Sequence, residues 1–315
     1  MQYFLFRRTI GFVLTLLAVS VIVFAVMNIL PGDPALTILG LDSTEDARAA
    51  LRLELGLDAP VASRYLEWMS GAVHGDFGQS YAWSVPVGEL IAERLPLTLS
   101  LALSGMLFTM ILGLVMGVLA AADHRRFGDW GVMFVSQLGI ALPAFWLSIL
   151  LVLLFAVKLR WLPPGGFPGW DEPLAAMRAL VLPTIALGLV QSAVLARVTR
   201  SAALEIMRQD FVRTARAAGL GRSRILWRHV LPNALVPIVT IIGMQFAALV
   251  TGTIIIENVF YLPGLGRLTF QAIANRDLFT VQALVLMFAA IVIAGNFVVD
   301  VAYLLIDPRL KGRMR

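Results

Sequence analysis

Four amide side chains stand inside long apolar runs of this 315-residue sequence, where a polar group is costly and therefore informative. They are Gln137, Gln191, Gln245 and Asn296. Amide side chains within a membrane commonly hydrogen-bond to neighbouring helices, which is the plain interpretation of each. The alternative is that some of them line a polar pathway through the protein. The sequence leaves both interpretations open.

A carboxylate, Glu257, closes an uncharged run that occupies residues 230–256. A charge in that position costs energy unless water or a partner satisfies it. The loop that follows is rich in glycine, proline and aromatic residues, and the aromatic residues are typical of a membrane interface. We expect this loop to be part of an outer docking or gating surface. Its candidate residues are Glu257, Asn258, Pro263, Gly264, Gly266 and Arg267.

The most highly charged stretch, residues 201–233, lies between two apolar runs. Apolar residues recur in it at spacings of three and four, which predicts one stripe along a helix. Gly219 is expected to end that helix, because glycine adopts a left-handed backbone without steric cost. Ser223 is expected to cap a second short helix that stops near Pro232. The stripe consists of Leu204, Met207, Phe211, Ala215 and Ala218, and the arginines are Arg208, Arg213, Arg216, Arg222, Arg224 and Arg228.

The sequence does not contain the residue patterns that ATP binding, zinc binding or proteolysis would require. The two lysines, Lys158 and Lys311, are not in a glycine-rich phosphate loop, so this chain is not expected to bind ATP in that way. The histidines, His74, His124 and His229, have no partner at the spacing of a zinc-binding helix. There is no cysteine, and no serine–histidine or paired-carboxylate arrangement suggests a protease. The sequence therefore predicts neither an enzyme nor a metal site.

The composition predicts an all-α integral membrane protein. Hydrophobic residues make up 59% of the chain and charged residues only 14%, whereas soluble domains carry about a quarter charged residues. Six apolar runs are long enough to span a bilayer as helices: 9–32, 95–122, 130–157, 179–196, 230–256 and 278–299. The net charge of +5 is attributed to membrane topology rather than to nucleic-acid binding, so the lipid bilayer is the expected surrounding.

Basic residues predict the orientation of the six helices. They cluster at the amino terminus, in the second-to-third connection, in 201–233 and in the carboxyl tail, which places both termini in the cytoplasm. Lys158, Arg160 and Arg178 depart from this rule. The acidic segment after the first helix is expected outside, with short helices at 44–55 and 61–73. The expected division is a tip and first helix at 1–30, an extracytoplasmic segment at 31–94, a five-helix core at 95–306 and a cytoplasmic tail at 307–315.

The spacing within 201–233 resembles the signature loop of ABC importer permeases, which reads E-A-A, three residues, G, nine residues, I-x-L-P. Here Arg213-Thr214-Ala215 occupies the E-A-A triplet and Gly219 the glycine, and His229-Val230-Leu231-Pro232 follows after nine residues. Other motifs also resemble the dipeptide, oligopeptide, nickel and glutathione permeases of first-subunit type. They are PGDP at 31–34, LGLDxP at 55–60, GDFGxS at 75–80, RxTRS at 197–201, PGLGR at 263–267 and DPR at 307–309.

The resemblance implies an ABC type I importer permease fold in the bacterial cytoplasmic membrane. It also implies that 201–233 is a coupling loop seated on a cytoplasmic ATPase. The partners it implies are a second homologous permease, two ABC ATPase subunits that carry ATP and magnesium, and an extracytoplasmic substrate-binding protein. No cofactor is expected in this chain. The coupling residues implied are Asp210, Phe211, Arg213, Thr214, Ala215, Arg216, Gly219, Leu231 and Pro232.

The expected cargo is a di- or oligopeptide, and nickel chelates and glutathione are alternatives within the same architecture. A stand-alone ion-coupled carrier is a different class. That class predicts inverted repeats and charges near the bilayer midplane. Neither feature is clear in the sequence.

Overall fold

The structure is a computed structural model that describes residues 2–29, 34–40, 43–54 and 56–306. Apart from one isolated β-bridge between Gln79 and Pro86, the regular secondary structure of its described part is helical, with turns and loops between the helices. In chain order the α-helices are α1 (Gln2–Ile29), α2 (Pro34–Leu39), α3 (Glu45–Glu54), α4 (Val61–Val73), α5 (Val87–Ala122), α6 (Phe127–Ala141), α7 (Ala144–Leu151), α8 (Pro173–Met207), α9 (Asp210–Ala217), α10 (Arg222–Ile225), α11 (Leu231–Val259), α12 (Leu265–Ala274) and α13 (Leu278–Ile306). Two π-helical segments, Val152–Lys158 and Leu226–Val230, continue α7 and α10.

Within the described ranges, five helical stretches are long and apolar enough to cross a membrane. They are Phe6–Ile29, Val87–Ala122, Pro173–Met207, Arg222–Val259 and Leu278–Val301. A sixth span is formed if α6 and the helix beginning at Ala144 are counted together, although they meet at an angle of 105°. Leu142, which precedes Pro143, has an extended backbone because the proline ring disfavours the helical conformation of the preceding residue. The proline therefore bends the predicted third span.

The centre of the bundle is made by α5, α8 and α11. Leu101, Leu182 and Leu249, one from each of these helices, are almost completely buried. Glycines allow α5 and α8 to approach closely, since a Cβ at Gly188 would lie 2.8 Å from the carbonyl oxygen of Gly105. The helices α6 and α7 pack on α8, α13 packs on α11, and α1 lies outside α13.

The packing of α13 on α11 shows which helix ends lie together at each end of the bundle. Val299 lies against Gly243 and Phe246 lies against Gly295, so the two helices run antiparallel. The start of α1 meets the end of α13 through an ion pair between Arg8 and Asp300 at 2.9 Å. The start of α1, the α5–α6 turn and α9 therefore share one end of the bundle, which we call the α9 end. The opposite end carries α12.

The segment between α1 and α5 contains the two expected helices. The range Val61–Val73 is confirmed for α4, while α3 ends at Glu54. The side chains of Tyr65 and Trp68 pack around Phe24 of α1, with ring centroids 5.4 and 5.9 Å from that of Phe24. The PGDP and DPR motifs, Leu55 of LGLDxP and the carboxyl tail lie wholly or partly outside the described residues.

Candidate functional site

The short helix α9 has one buried face and one exposed face. Val212 and Ala215 are buried against the ends of α5 and α8 and the start of the α10–α11 helix. The other face exposes Asp210, Phe211, Arg213, Thr214 and Arg216. Asp210 stands in the first turn and Arg216 in the last, where each charge complements the helix dipole. The exposed face of α9 is thus a charged surface with one large apolar side chain, Phe211, which is 44% exposed, and the opposite face holds it against the spans.

Gly219 ends α9 in the way that its sequence position predicts. Its φ of +76° is left-handed, its amide donates to the Arg216 carbonyl at 3.0 Å, and the Leu220 amide donates to the Ala215 carbonyl at 3.2 Å. These two hydrogen bonds form a Schellman motif, in which a residue with left-handed backbone closes the helix. A Cβ on Gly219 would meet nothing within 4 Å. The requirement for glycine therefore comes from the backbone conformation and not from crowding.

Three details of the predicted loop are wrong. Residues 204–218 do not form one helix, because α8 ends at Met207 and α9 begins at Asp210. Phe211 and Ala218 are consequently exposed, and Val212 takes the buried place. The second helix does not stop at Pro232 either. It passes through a π-helical turn, Leu226–Val230, into α11, where Pro232 stands in the first turn and needs no amide partner. Its N-cap is Gly221 rather than Ser223.

A buried ion pair at the α9 end joins the first turn of α6 to α8. The Asp129 carboxylate accepts hydrogen bonds from Arg200 Nε at 2.5 Å and from a terminal guanidinium nitrogen of Arg200 at 2.7 Å. The Arg125 amide donates to it at 3.0 Å, and His124 Nδ1 lies 3.2 Å away. The Asp129 and Arg200 side chains are only 5% and 20% exposed. Arg200 belongs to the RxTRS motif, and sequence reasoning assigned no role to either residue.

At the opposite end, Glu257 is buried and fully partnered. Its carboxylate accepts hydrogen bonds from Thr98 Oγ1 at 2.7 Å and from the amides of Gly266 and Arg267 at 2.7 and 3.1 Å. Thr98 in turn accepts the Leu265 amide at 2.8 Å. A carboxylate at a helix start satisfies amides that have no partner within the helix. Glu257 therefore fixes α12 to α11 and α5, and its charge is not available on an outer surface.

The glycines of the PGLGR motif allow that contact. A Cβ at Gly264 would overlap the Glu257 carboxylate, and one at Gly266 would overlap the backbone of Ile254. Asn258 is half-buried and donates to the Ile254 carbonyl at 2.7 Å. The exposed residues of the loop are Tyr261 and Pro263. Arg267 is half-buried, and its guanidinium carbon lies 4.9 Å from the centroid of the Tyr261 ring.

A second buried carboxylate, Asp277, anchors the GDFGxS motif. Ser80 Oγ donates to its Oδ2 at 2.5 Å, Thr280 Oγ1 at 2.8 Å, and the Thr280 amide donates to Oδ1 at 3.2 Å. Asp277 thus caps the start of α13 while it holds the loop before α5. Burial, and secondarily the Asp277 carboxylate, raises the pKa of the Tyr81 hydroxyl above its ordinary value.

The four amide side chains are not brought together. Gln245 is buried, and its Nε2 donates to the Gln191 carbonyl at 2.8 Å, which is the interhelical bonding expected of such residues. Its Oε1 has no hydrogen-bond partner in the described part of the chain. Gln137 is exposed on α6, and Asn296 lines an open cavity between α1 and α13. Among the residues that the structure describes, no cluster of three histidine or acidic side chains could hold a metal ion.

Two family models match the sequence. Residues 113–312 match the model of a binding-protein-dependent transport system inner membrane component, and residues 1–102 match the model of the amino-terminal part of such membrane components. A protein of Brucella abortus (strain 2308), provisionally named a peptide transport system permease protein, is 42% identical over 99% of both chains. The glutathione transport system permease protein GsiC of Escherichia coli (strain K12) is 38% identical over 99% of both chains.

Solved structures support the fold. A chain of the MetNI methionine ABC transporter in an inward-facing conformation superimposes with a TM-score of 0.56. The match covers 69% of this chain and 96% of that chain, at 20% sequence identity. A second crystal form gives a TM-score of 0.51 over 67% of this chain and 95% of that chain.

Proposed function

The chain belongs to the family of binding-protein-dependent transport system inner membrane components, and from this premise we propose that it is the permease subunit of an ATP-driven importer of di- or oligopeptides. The proposal that the cargo is a peptide is supported by the 42% identity to the Brucella abortus protein named for peptide transport, over 99% of both chains. In the proposed assembly, six spans cross the cytoplasmic membrane with both termini in the cytoplasm. The bent pair of α6 and α7 is the third span.

The exposed face of α9 is proposed to contact a cytoplasmic ABC ATPase. Two such subunits, carrying ATP and magnesium, would serve this chain and a second homologous permease. The side chains offered to the ATPase are those of Asp210, Phe211, Arg213, Thr214 and Arg216. Phe211 supplies an apolar contact at the centre of a charged surface, which is the composition expected of a specific interface. Trp227, 41% exposed on the π-helical turn, extends the same charged segment.

The packing around α9 supports a mechanical role. Because Val212 and Ala215 are buried against three spans, a displacement of α9 moves the ends of α5, α8 and α11 with it. The ion pair between Asp129 and Arg200 carries the displacement into the third span. Closure of the two ATPases on ATP would then rotate these helices as bodies and change the side from which the pathway is open.

At the α12 end, we propose that the exposed side chains of the 257–267 loop contact an extracytoplasmic binding protein. Tyr261, Pro263 and Arg267 are the accessible members. Glu257, Gly264 and Gly266 contribute by holding the loop in shape rather than by contact. For the pathway itself, Gln137 and Asn296 are the candidates with exposed amides on spans. The Gln245 side chain instead joins α11 to α8 by donating to the Gln191 backbone carbonyl.

Reconstitution in liposomes tests the function. This chain, its partner permease, the ATPases and the binding protein should together take up a labelled dipeptide only when ATP and the binding protein are both supplied. Uptake by this chain alone, without ATP, would instead assign it to the ion-coupled carriers.

Glutathione is the second candidate cargo, because GsiC is 38% identical over 99% of both chains. Calorimetric titration of the cognate binding protein separates the cargoes. Peptide import predicts that the binding protein takes up a dipeptide and leaves glutathione and nickel chelates unbound. The opposite preference would replace the peptide assignment and leave the permease assignment intact.

A further inference from the structure

A polar cavity opens between α1 and α13 at the α9 end of the bundle. Its volume is about 620 Å³. Arg7, Arg8 and Thr15 line it from α1, and Asn296 and Asp300 line it from α13. With Gly11 and Phe12 on α1 and Ile293 and Phe297 on α13, the lining residues recur at three- and four-residue spacings, so the cavity runs along two facing stripes. None of these residues is part of the transport roles proposed above, apart from the sequence-based expectation for Asn296.

The charges in the cavity do not cancel. Arg8 and Asp300 form an ion pair at 2.9 Å, which leaves that part of the wall close to neutral. Arg7 lines the same cavity and makes no hydrogen bond or ion pair with the described part of the chain. Among the described residues that line the space, two arginines face one aspartate, so their net charge is positive. The Asn296 amide adds a group that can donate hydrogen bonds to an anion, whereas the Thr15 hydroxyl already donates to the Gly11 carbonyl at 2.7 Å.

The walls beside these polar groups are apolar and belong to the membrane. Phe12 and Phe297 face each other edge to face, with ring centroids 6.1 Å apart. A Cβ at Gly11 would meet nothing within 4 Å, so the α1 side of the cavity is open. The neighbouring Val13 and Leu14 are 47% and 60% exposed on a helix that belongs to the membrane-spanning set. An occupant must accordingly combine an anionic head with an apolar body.

We propose that this cavity binds an anionic phospholipid, whose phosphate lies against Arg7 and whose acyl chain follows the apolar walls. Basic pockets between membrane helices bind such head groups, and each basic side chain near the surface contributes about fivefold in affinity. Arg7 stands at the start of the apolar run of α1, at the level where phosphates lie. The lipid fastens α1 to α13 beside the ion pair between Arg8 and Asp300.

Native mass spectrometry of the full chain in detergent tests the site, and it does not depend on transport activity. Phosphatidylglycerol should bind more tightly than phosphatidylcholine with the same acyl chains. Arg7→Gln should weaken the first phosphatidylglycerol about fivefold. The matched control is Arg126→Gln, which removes the same charge from an exposed side chain at the same end of the bundle and should leave that lipid in place. Asp300→Asn, which removes the negative charge from the cavity, should tighten binding.

Several results would overturn the site. They are equal binding of the two lipids, equal loss in both arginine variants, or weaker binding in Asp300→Asn with helix content unchanged by circular dichroism. Displacement of the lipid by an equal concentration of glycerol 3-phosphate would mean a site for free phosphate. Loss of the lipid when the chain is purified with a partner permease would mean that the cavity is a protein interface.

Discussion

Replacing Asp129 by asparagine should destabilise the chain and weaken the link between the third span and α8. Asparagine has nearly the same shape, but it removes the charge that balances Arg200, whose side chain is only 20% exposed. Removing one partner of a buried ion pair costs about 3 kcal/mol or more, because the remaining charge stays in a medium of low polarity. The free energy of unfolding, measured by titration with sodium dodecyl sulfate and followed by tryptophan fluorescence, should fall by about 3 kcal/mol.

The same turn provides a matched control. Asp123 pairs with Arg126 at 3.8 Å, and the Arg126 side chain is 74% exposed. Asp123 also accepts the Gly128 amide at 3.1 Å, a bond that an asparagine oxygen can keep, so Asp123→Asn should cost about 0.5 kcal/mol. The double variant Asp129→Asn with Arg200→Gln should recover part of the loss, because no uncompensated charge remains. The reasoning is refuted if Asp129→Asn costs no more than Asp123→Asn, or if the double variant is no more stable than the single one.

Three further substitutions test other contacts. Gly219→Val should separate ATP hydrolysis from uptake in the reconstituted transporter, because valine does not tolerate the left-handed backbone at φ +76°. Gly219→Asn, which tolerates that backbone, should keep hydrolysis and uptake coupled. An equal ratio of uptake to ATP hydrolysis in the two variants would contradict this role. Gly266→Ala should lower the unfolding free energy by about 2 kcal/mol, because the added Cβ overlaps the Ile254 backbone. The control Gly131→Ala, in open space on α6, should be neutral or stabilising. Ser80→Ala should lower the unfolding free energy by about 2 kcal/mol, because the buried Asp277 carboxylate loses a hydrogen-bond donor. Ser63→Ala, at an exposed site, should change it little. Equal losses of stability in the two variants would contradict the role of Ser80.

The features that could be predicted are those that neighbouring residues determine. The apolar runs locate the membrane helices, because hydrocarbon requires about 20 apolar residues in a row. The bounds of α4 follow from its amphipathic spacing, and the end of α9 follows from one glycine. The bend of the third span also has a local cause in Leu142-Pro143, which a count of apolar residues overlooks.

The features that could not be predicted depend on contacts between distant parts of the chain. The sequence suggests an outer surface role for Glu257, because it gives no sign of the partner Thr98, which lies 159 residues earlier. The pairing of Asp129 with Arg200 joins residues 71 positions apart, and Ser80 reaches Asp277 across 197 positions. The helix that continues through Pro232 was also missed, because a π-helical turn accommodates the proline in a way that helix-stop rules do not anticipate.

The proposed contact between α9 and an ATPase is the centre of this account, and cysteine crosslinking tests it most directly. The chain has no cysteine, so a single Arg213→Cys introduces one reactive thiol on the exposed face of α9. In membranes that contain the assembled transporter, a short bifunctional reagent should join residue 213 to the ATPase subunit. Lys158→Cys, placed at the opposite end of the bundle, should give no such product. Crosslinking to the ATPase from position 158 but not from 213 would contradict both the coupling role of α9 and the orientation of the chain.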